Sequence, residues 1–194
     1  MNTRLKKLVL NNVIRFKLLI LLTEYIMAIF LTKEISSKND FQKFKLFISK
    51  ISLKIKGPVN ANIYYYSGYF PKPDLVMING ENSTTPSRNY FDFIQPDNYI
   101  ELIWNNNLES CYGLFYECSA IYDFDFSDFN TSLVKNMGLM FYGCSSLKTL
   151  NLSNFETSLV TDMCGMFDNC HLLELLDLSS FNTEKVEDMQ YMFW

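Results

Sequence analysis

The chain has 194 residues, with 17 Lys and Arg against 21 Asp and Glu for a formal charge of -4, and 48% hydrophobic and 16% aromatic residues. That much apolar matter builds a folded core and excludes a disordered polar chain, while the length allows one or two small domains. The charge is unevenly placed: Met1 to Lys56 holds 12 of the cations against 3 acids, and the remainder holds 5 against 18.

Residues 1–50 read as a basic, hydrophobic helical segment. An apolar run from Leu18 to Leu31 follows Arg4, Lys6, Lys7, Arg15 and Lys17, the order of a signal peptide or anchor. Its fourteen residues reach only about 21 Å as a helix, short of a hydrocarbon core of about 30 Å. Glu24 inside the run and the lack of an A-x-A-like cleavage site speak for the other reading, a packed helix with Leu5, Leu8, Asn12, Phe16, Leu19, Thr23, Ile26 and Phe30 on one mostly apolar face. Both readings stay open, and residues 18–31 are the candidate membrane contact. A second helix is expected over Asp40 to Ile48, with Phe41, Phe44, Phe47 and Ile48 on one side.

Residues 51–107 read as a small β-rich module. Ile51, Leu53 and Ile55 alternate with Ser52, Lys54 and Lys56, and further strands are expected over Ile63 to Tyr66, Leu75 to Ile78 and Tyr99 to Trp104. Placed ahead of the repeats described next, the module is expected to cover the open core at their N-terminal end.

Residues 108–194 carry a 26-residue period, with Cys118, Cys144 and Cys170 in register and Phe115, Phe141, Phe167 and Phe193 beside them. Leu147, Leu150, Leu152 and Phe155 are the apolar teeth of the middle unit. Leu150 and Leu152 alternate as a strand does, which turns Asn151 outward. Val160, Met163, Met166 and Phe167 then recur at spacings of three, three and one, the stripe of a short helix, with Thr157 and Ser158 ahead of it as cap residues. The expected fold class is α/β: a short leucine-rich-repeat solenoid, one strand and one short helix per unit, behind the β-rich cap and an N-terminal helix.

The pattern MF-x-x-C-x-x-L-x-x-L-x-L-S-x-F-x-T-x-x-V-x-x-M-x-x-MF resembles the BspA-type leucine-rich repeats of bacterial, mycoplasmal and protist surface proteins. The resemblance covers Leu108 to Trp194, and less of Ser52 to Asn107, where Ile78-Asn79-Gly80 and the segment Ile100 to Trp104 are similar to the region ahead of such arrays. Phe124 and Phe126 stand where the family has leucine, and His171-Leu172 replaces a serine pair. The resemblance implies a non-catalytic protein, on the cell surface or secreted, used in adhesion or recognition.

The outward strand positions are the candidate ligand surface, in three columns on a concave face: Asp123, Thr149, Leu175; then Asp125, Asn151, Asp177; then Ser127, Ser153, Ser179. Such columns suit an extended polar ligand, protein or glycan, or serve only as a solvated face. No catalytic site is expected, since His171 is the only histidine and no P-loop, G-x-G-x-x-G or HExxH occurs. No cofactor or metal is expected, with no CxxC pair present. The in-register cysteines belong to the apolar pattern and are expected as buried thiols, although adjacent ones are near enough to bridge. Nucleic acid is disfavoured, because the basic residues crowd around an apolar run. The oligomeric state is not written in the chain. The alternative to a surface protein is an intracellular scaffold, in the cytoplasm, holding a protein partner on the acidic repeats.

Overall fold

Nine strands account for all the regular structure in a computed structural model that describes residues 49–65, 72–83 and 90–194. They are β1 (Ser49–Lys56), β2 (Val59–Asn62), β3 (Leu75–Ile78), β4 (Glu81–Ser83), β5 (Tyr90–Phe93), β6 (Asp97–Trp104), β7 (Ile121–Asp125), β8 (Thr149–Asn151) and β9 (Leu175–Asp177). The helices expected over Leu18 to Leu31 and Asp40 to Ile48 lie outside the described residues, and Ser49 and Lys50 already belong to β1.

The alternation in β1 sets the architecture. Ser49, Ile51, Leu53 and Ile55 are buried, and Lys50, Ser52, Lys54 and Lys56 face outward. Burying each of the three aliphatic side chains contributes about 1.5–3 kcal/mol. β1 pairs antiparallel with β6 on one side and with β7 on the other, at the centre of a five-stranded sheet ordered β4-β3-β6-β1-β7. β2 and β5 form a separate antiparallel pair. Of the strands expected ahead of the repeats, β1, β3 and β6 stand where the alternation placed them. The remaining one, expected over Ile63 to Tyr66, is not a strand over its described residues Ile63 to Tyr65, and β2 runs just ahead of it over Val59–Asn62. β7 lies in the first 26-residue unit, so the N-terminal strands cover that unit by direct main-chain pairing.

The expected fold class is corrected by these strands. The described residues are all-β, without a helix, and most strand pairing is antiparallel, so the α/β leucine-rich-repeat solenoid with a strand and a helix per unit is not the architecture. Among the strands only β8 and β9 pair in parallel, Leu150 opposite Leu176, and isolated parallel bridges join Ser110 to Asn136, Asn136 to Asp162 and Asp162 to Asp188. The first unit's strand belongs to the antiparallel sheet, so the three units do not share one parallel sheet.

The stripe Val134, Met137, Met140, Phe141 is built from turns, because its amides divide between two kinds of partner. The amides of Met140, Tyr142 and Cys144 bond three residues back, to Met137, Leu139 and Phe141. Those of Met137, Leu139, Phe141 and Gly143 leave the unit and reach the carbonyls of Asp162, Cys164, Met166 and Asp168 at 2.8–3.0 Å. The next step repeats this from Met163, Gly165, Phe167 and Asn169 to Asp188, Gln190, Met192 and Trp194. An amide given to a neighbouring unit is lost to a helix. The backbone forbids a helix as well: Gly113, Leu139, Gly165 and Tyr191, one period apart, all have φ between 54° and 60°, in the left-handed region that no right-handed helix contains.

Thr157 is corrected too, from a helix cap to a clasp between units, and Thr131, one period before it, makes the same clasp. Thr131 Oγ1 accepts from the Glu156 amide at 2.8 Å and donates to its carbonyl at 3.3 Å. Thr157 Oγ1 does the same with Asn182, at 2.8 and 3.0 Å. Both threonines are buried. Thr131→Val keeps the shape and removes both bonds, and should lower stability by about 1–2 kcal/mol. Thr131→Ser should recover most of the loss in urea unfolding; equal losses in the two variants would contradict the clasp.

Candidate functional site

The nine candidate residues divide by what their side chains already hold. Asp125 Oδ1 accepts from the Ser127 amide at 2.9 Å, Asn151 Oδ1 from Ser153 at 3.0 Å, and Asp177 Oδ1 from Ser179 at 2.8 Å. The middle column therefore closes a turn at the end of each strand, the local bonding that Asp and Asn favour. The Ser127 amide, helped by the Ser127 hydroxyl, holds the Asp125 carboxyl below the usual carboxylate range, and burial opposes the shift. The Ser179 hydroxyl and then its amide do the same for Asp177. Ser127, Ser153 and Ser179 are exposed, as are Thr149 and Leu175. Asp123 is different, for its Oδ2 accepts from Lys54 Nζ at 2.6 Å.

That ion pair leads to the outer face of the five-stranded sheet. In register, Lys54 stands between Tyr99 on β6 and Asp123 on β7, and Ser52 stands between Glu101 and Asp125. Lys50 Nζ reaches Glu101 at 3.1 Å and Asp128 at 3.5 Å. The Lys54 ammonium lies 6.0 Å from the Tyr99 ring centre and that of Lys56 lies 5.6 Å from the Tyr122 ring. The hydrogen bond to Asp123 is the main reason that the Lys54 pKa is raised, as the one to Glu101 is for Lys50. These pairs are largely solvated, so they contribute little to stability and leave the charges open to exchange partners.

A groove of about 280 Å³ runs over this face, lined among others by Ser52, Lys54, Met77, Tyr99, Glu101 and Asp123. It brings together Asp123 and Asp125 of the nine candidates, and none of the other seven. The residues that sequence reasoning missed, Lys54, Tyr99 and Glu101, are polar members of alternating strands. Alternation marks them as outward-facing, but only the pairing of distant strands sets them side by side.

Three of the five thiols occupy the dry interior. Cys111, Cys118 and Cys144 are buried, Cys164 and Cys170 half-buried, and all five are free. Cys144 Sγ–H donates to the Phe115 carbonyl at 3.3 Å and Cys170 Sγ–H to that of Phe141 at 3.1 Å. Burial pushes the Cys111 thiol up to about 12 and that of Cys170 to about 11, against an ordinary value of 9.0. Buried thiols such as Cys111, Cys118 and Cys144 are poor nucleophiles and poor metal ligands. Among the described residues no group of three or more His, Cys, Asp or Glu side chains is placed to hold a metal ion.

A family model described as "Mycoplasma protein of unknown function, DUF285" matches residues 109–194, the repeats without the N-terminal strands. No curated protein and no solved structure matches the chain.

Proposed function

We propose that the chain is a non-catalytic recognition protein, on a cell surface or secreted, that holds a glycan or protein ligand on its exposed polar face. One observation carries this reading: on the outer face of the five-stranded sheet Tyr99, 59% exposed, stands beside Lys54, Glu101 and Asp123 at a groove. An aromatic ring offers apolar area at small entropic cost, and the surrounding carboxylates and ammonium orient hydroxyl or amide groups. A glycan suits this mixture best, because its C–H face can lie on the ring while its hydroxyls meet charged acceptors. The surface placement is supported by the basic-then-apolar order from Arg4 to Leu31, and by the resemblance of the repeats to BspA-type surface proteins.

The test is a glycan array probed with the purified full chain and with Tyr99→Ala, whose exposed position leaves the fold intact. Binding to a subset of glycans should weaken about tenfold in the variant, the equivalent of about 1.4 kcal/mol. Glycans bound equally by both proteins would place the ligand elsewhere, and a native N-terminus at residue 1 in a cytosolic fraction would remove the surface assignment.

A further inference from the structure

At the surface of the first two units a pair of stacked rings is made of phenols. Tyr116 and Tyr142 stand one period apart, both half-buried, with ring centres 4.6 Å apart and planes within 5° of parallel. The phenylalanine columns of the repeats stack from unit to unit at 5.6–6.4 Å, so the tyrosine pair is the tighter one. The main chain fixes its register on both sides of Tyr116. The Phe115 amide bonds to the Met140 carbonyl at 2.9 Å, and the Glu117 amide to the Tyr142 carbonyl at 2.7 Å. Tyr65, 37% exposed, adds a third ring, 5.2 Å from Tyr116 and tilted by 52°. Asp168 takes the equivalent place in the third unit and ends the row.

Stacked phenylalanines contribute packing alone, whereas two phenols held in contact and open to solvent are also reactants. We propose that Tyr116 and Tyr142 are an oxidative modification site, joined as dityrosine by hydrogen peroxide and a haem peroxidase into a covalent staple between the first and second units. Each phenol gives one electron and its hydroxyl proton to the oxidant, leaving a phenoxyl radical whose unpaired spin is shared with the ortho carbons. A turn of each ring about its Cβ–Cγ bond brings one ortho carbon toward the other, and the two radicals pair as a carbon–carbon bond. The hydrogen on each bonded carbon then moves to the phenolic oxygen of its own ring, which restores both hydroxyls. Hydrogen peroxide takes up the two electrons and two protons and leaves as two waters. Burial first, then Glu117, Tyr142 and Tyr65, hold the Tyr116 pKa up, so the group oxidised at neutral pH is the protonated phenol. The new bond closes the chain between residues 116 and 142 and so restricts the unfolded state. The site is separate from the Tyr99 groove and its test is independent of the ligand there.

The experiment treats the full chain with a haem peroxidase and hydrogen peroxide, and the monomer is then isolated under denaturing conditions. At about 1 µM chain, a phenol held in contact has an effective concentration of about 1 mM or more, so coupling within a molecule should exceed coupling between molecules about a thousandfold. The monomer should gain dityrosine emission. After digestion, the peptide carrying Tyr116 should be found bonded to the one carrying Tyr142, two hydrogens lighter than their sum. Tyr116→Phe and Tyr142→Phe each keep the ring stack and remove one phenol, and each should lower the emission of the monomer about tenfold or more. Tyr90→Phe removes a phenol that is 54% exposed and outside the row, and should leave that emission unchanged. Three results would overturn the assignment: a monomer without dityrosine, a bond mapped to any other pair, Tyr65 with Tyr116 included, or an equal loss of emission in Tyr90→Phe, which would make exposure and not stacking the cause of coupling.

Discussion

Phe141→Ala should lower the unfolding free energy by about 3–5 kcal/mol, the range for a large aromatic removed from a packed core. Phe141 is fully buried at the centre of a column of rings, 5.8 Å from Phe115 and 5.7 Å from Phe167, and two further rings, Phe124 and Phe126, meet its edge at 5.5 and 5.8 Å. Its backbone is a junction as well, since its amide reaches Met166 and its carbonyl accepts from the Cys170 thiol. The cavity left by the variant cannot collapse without moving units held by main-chain bonds on both sides. Against a total stability of about 5–15 kcal/mol for a domain, such a loss leaves a large unfolded fraction under mild denaturant. Phe193→Ala, at the exposed end of the same column, should cost under about 1 kcal/mol. Chemical denaturation of the two variants checks the contrast, and equal losses would mean that the column is not the core of the repeats.

The contrast within that column also shows what was legible in the sequence. The 26-residue period was, because a unit that contributes the same tooth to a shared interior must repeat it. Asn151 is exposed, and Met163, Cys118 and Cys144 are buried, as the pattern required. The helix was misread because i→i−3 turns and helical turns give nearly the same apolar spacing. The discriminating signal was present at two positions: Gly113 and Gly165 recur two periods apart and Gly143 and Asn169 one period apart, all residue types that accept a left-handed backbone. Leu139 and Tyr191 at the first position and Glu117 at the second obscure it, each with φ above 50°. The Asp125, Asn151 and Asp177 column was read as ligand surface, although an Asp or Asn two residues before a Ser amide is also a turn. The groove could not be read at all, since Lys54, Tyr99 and Asp123 are 45 and 24 residues apart in sequence and adjacent only through β-pairing.

The buried thiols give the chain an alkaline limit of defined sign. Burial raises the Cys111 pKa to about 12 from 9.0, because the thiolate would have to form without water. A group whose folded value lies above its unfolded value contributes fully below the unfolded pKa, so nothing is lost below pH 9. Between pH 9 and about 12 the unfolded chain releases a proton that the folded chain keeps, and stability falls by about 1.4 kcal/mol per pH unit for this thiol alone. Cys118 and Cys144, raised further by the same desolvation, act in the same direction, as does Cys170 up to about 11. The raised lysines add to the fall only above their ordinary value of 10.5, and the raised Tyr116 and Tyr122 join as pH approaches theirs of 10.0, so the thiols dominate the interval from pH 9 to 10. Cys111 serves as the cleanest probe, since desolvation is the only cause of its shift. Unfolding by urea at pH 8, 9 and 10 under reducing conditions should show stability flat and then falling. Cys111→Ala should start lower at pH 8 and lose about 1 kcal/mol less between pH 9 and 10 than the parent, because the unfolded thiol is only half ionised at pH 9. Parallel curves for the two proteins would place Cys111 in contact with water, and would break the dry interior on which the stacking of the units depends.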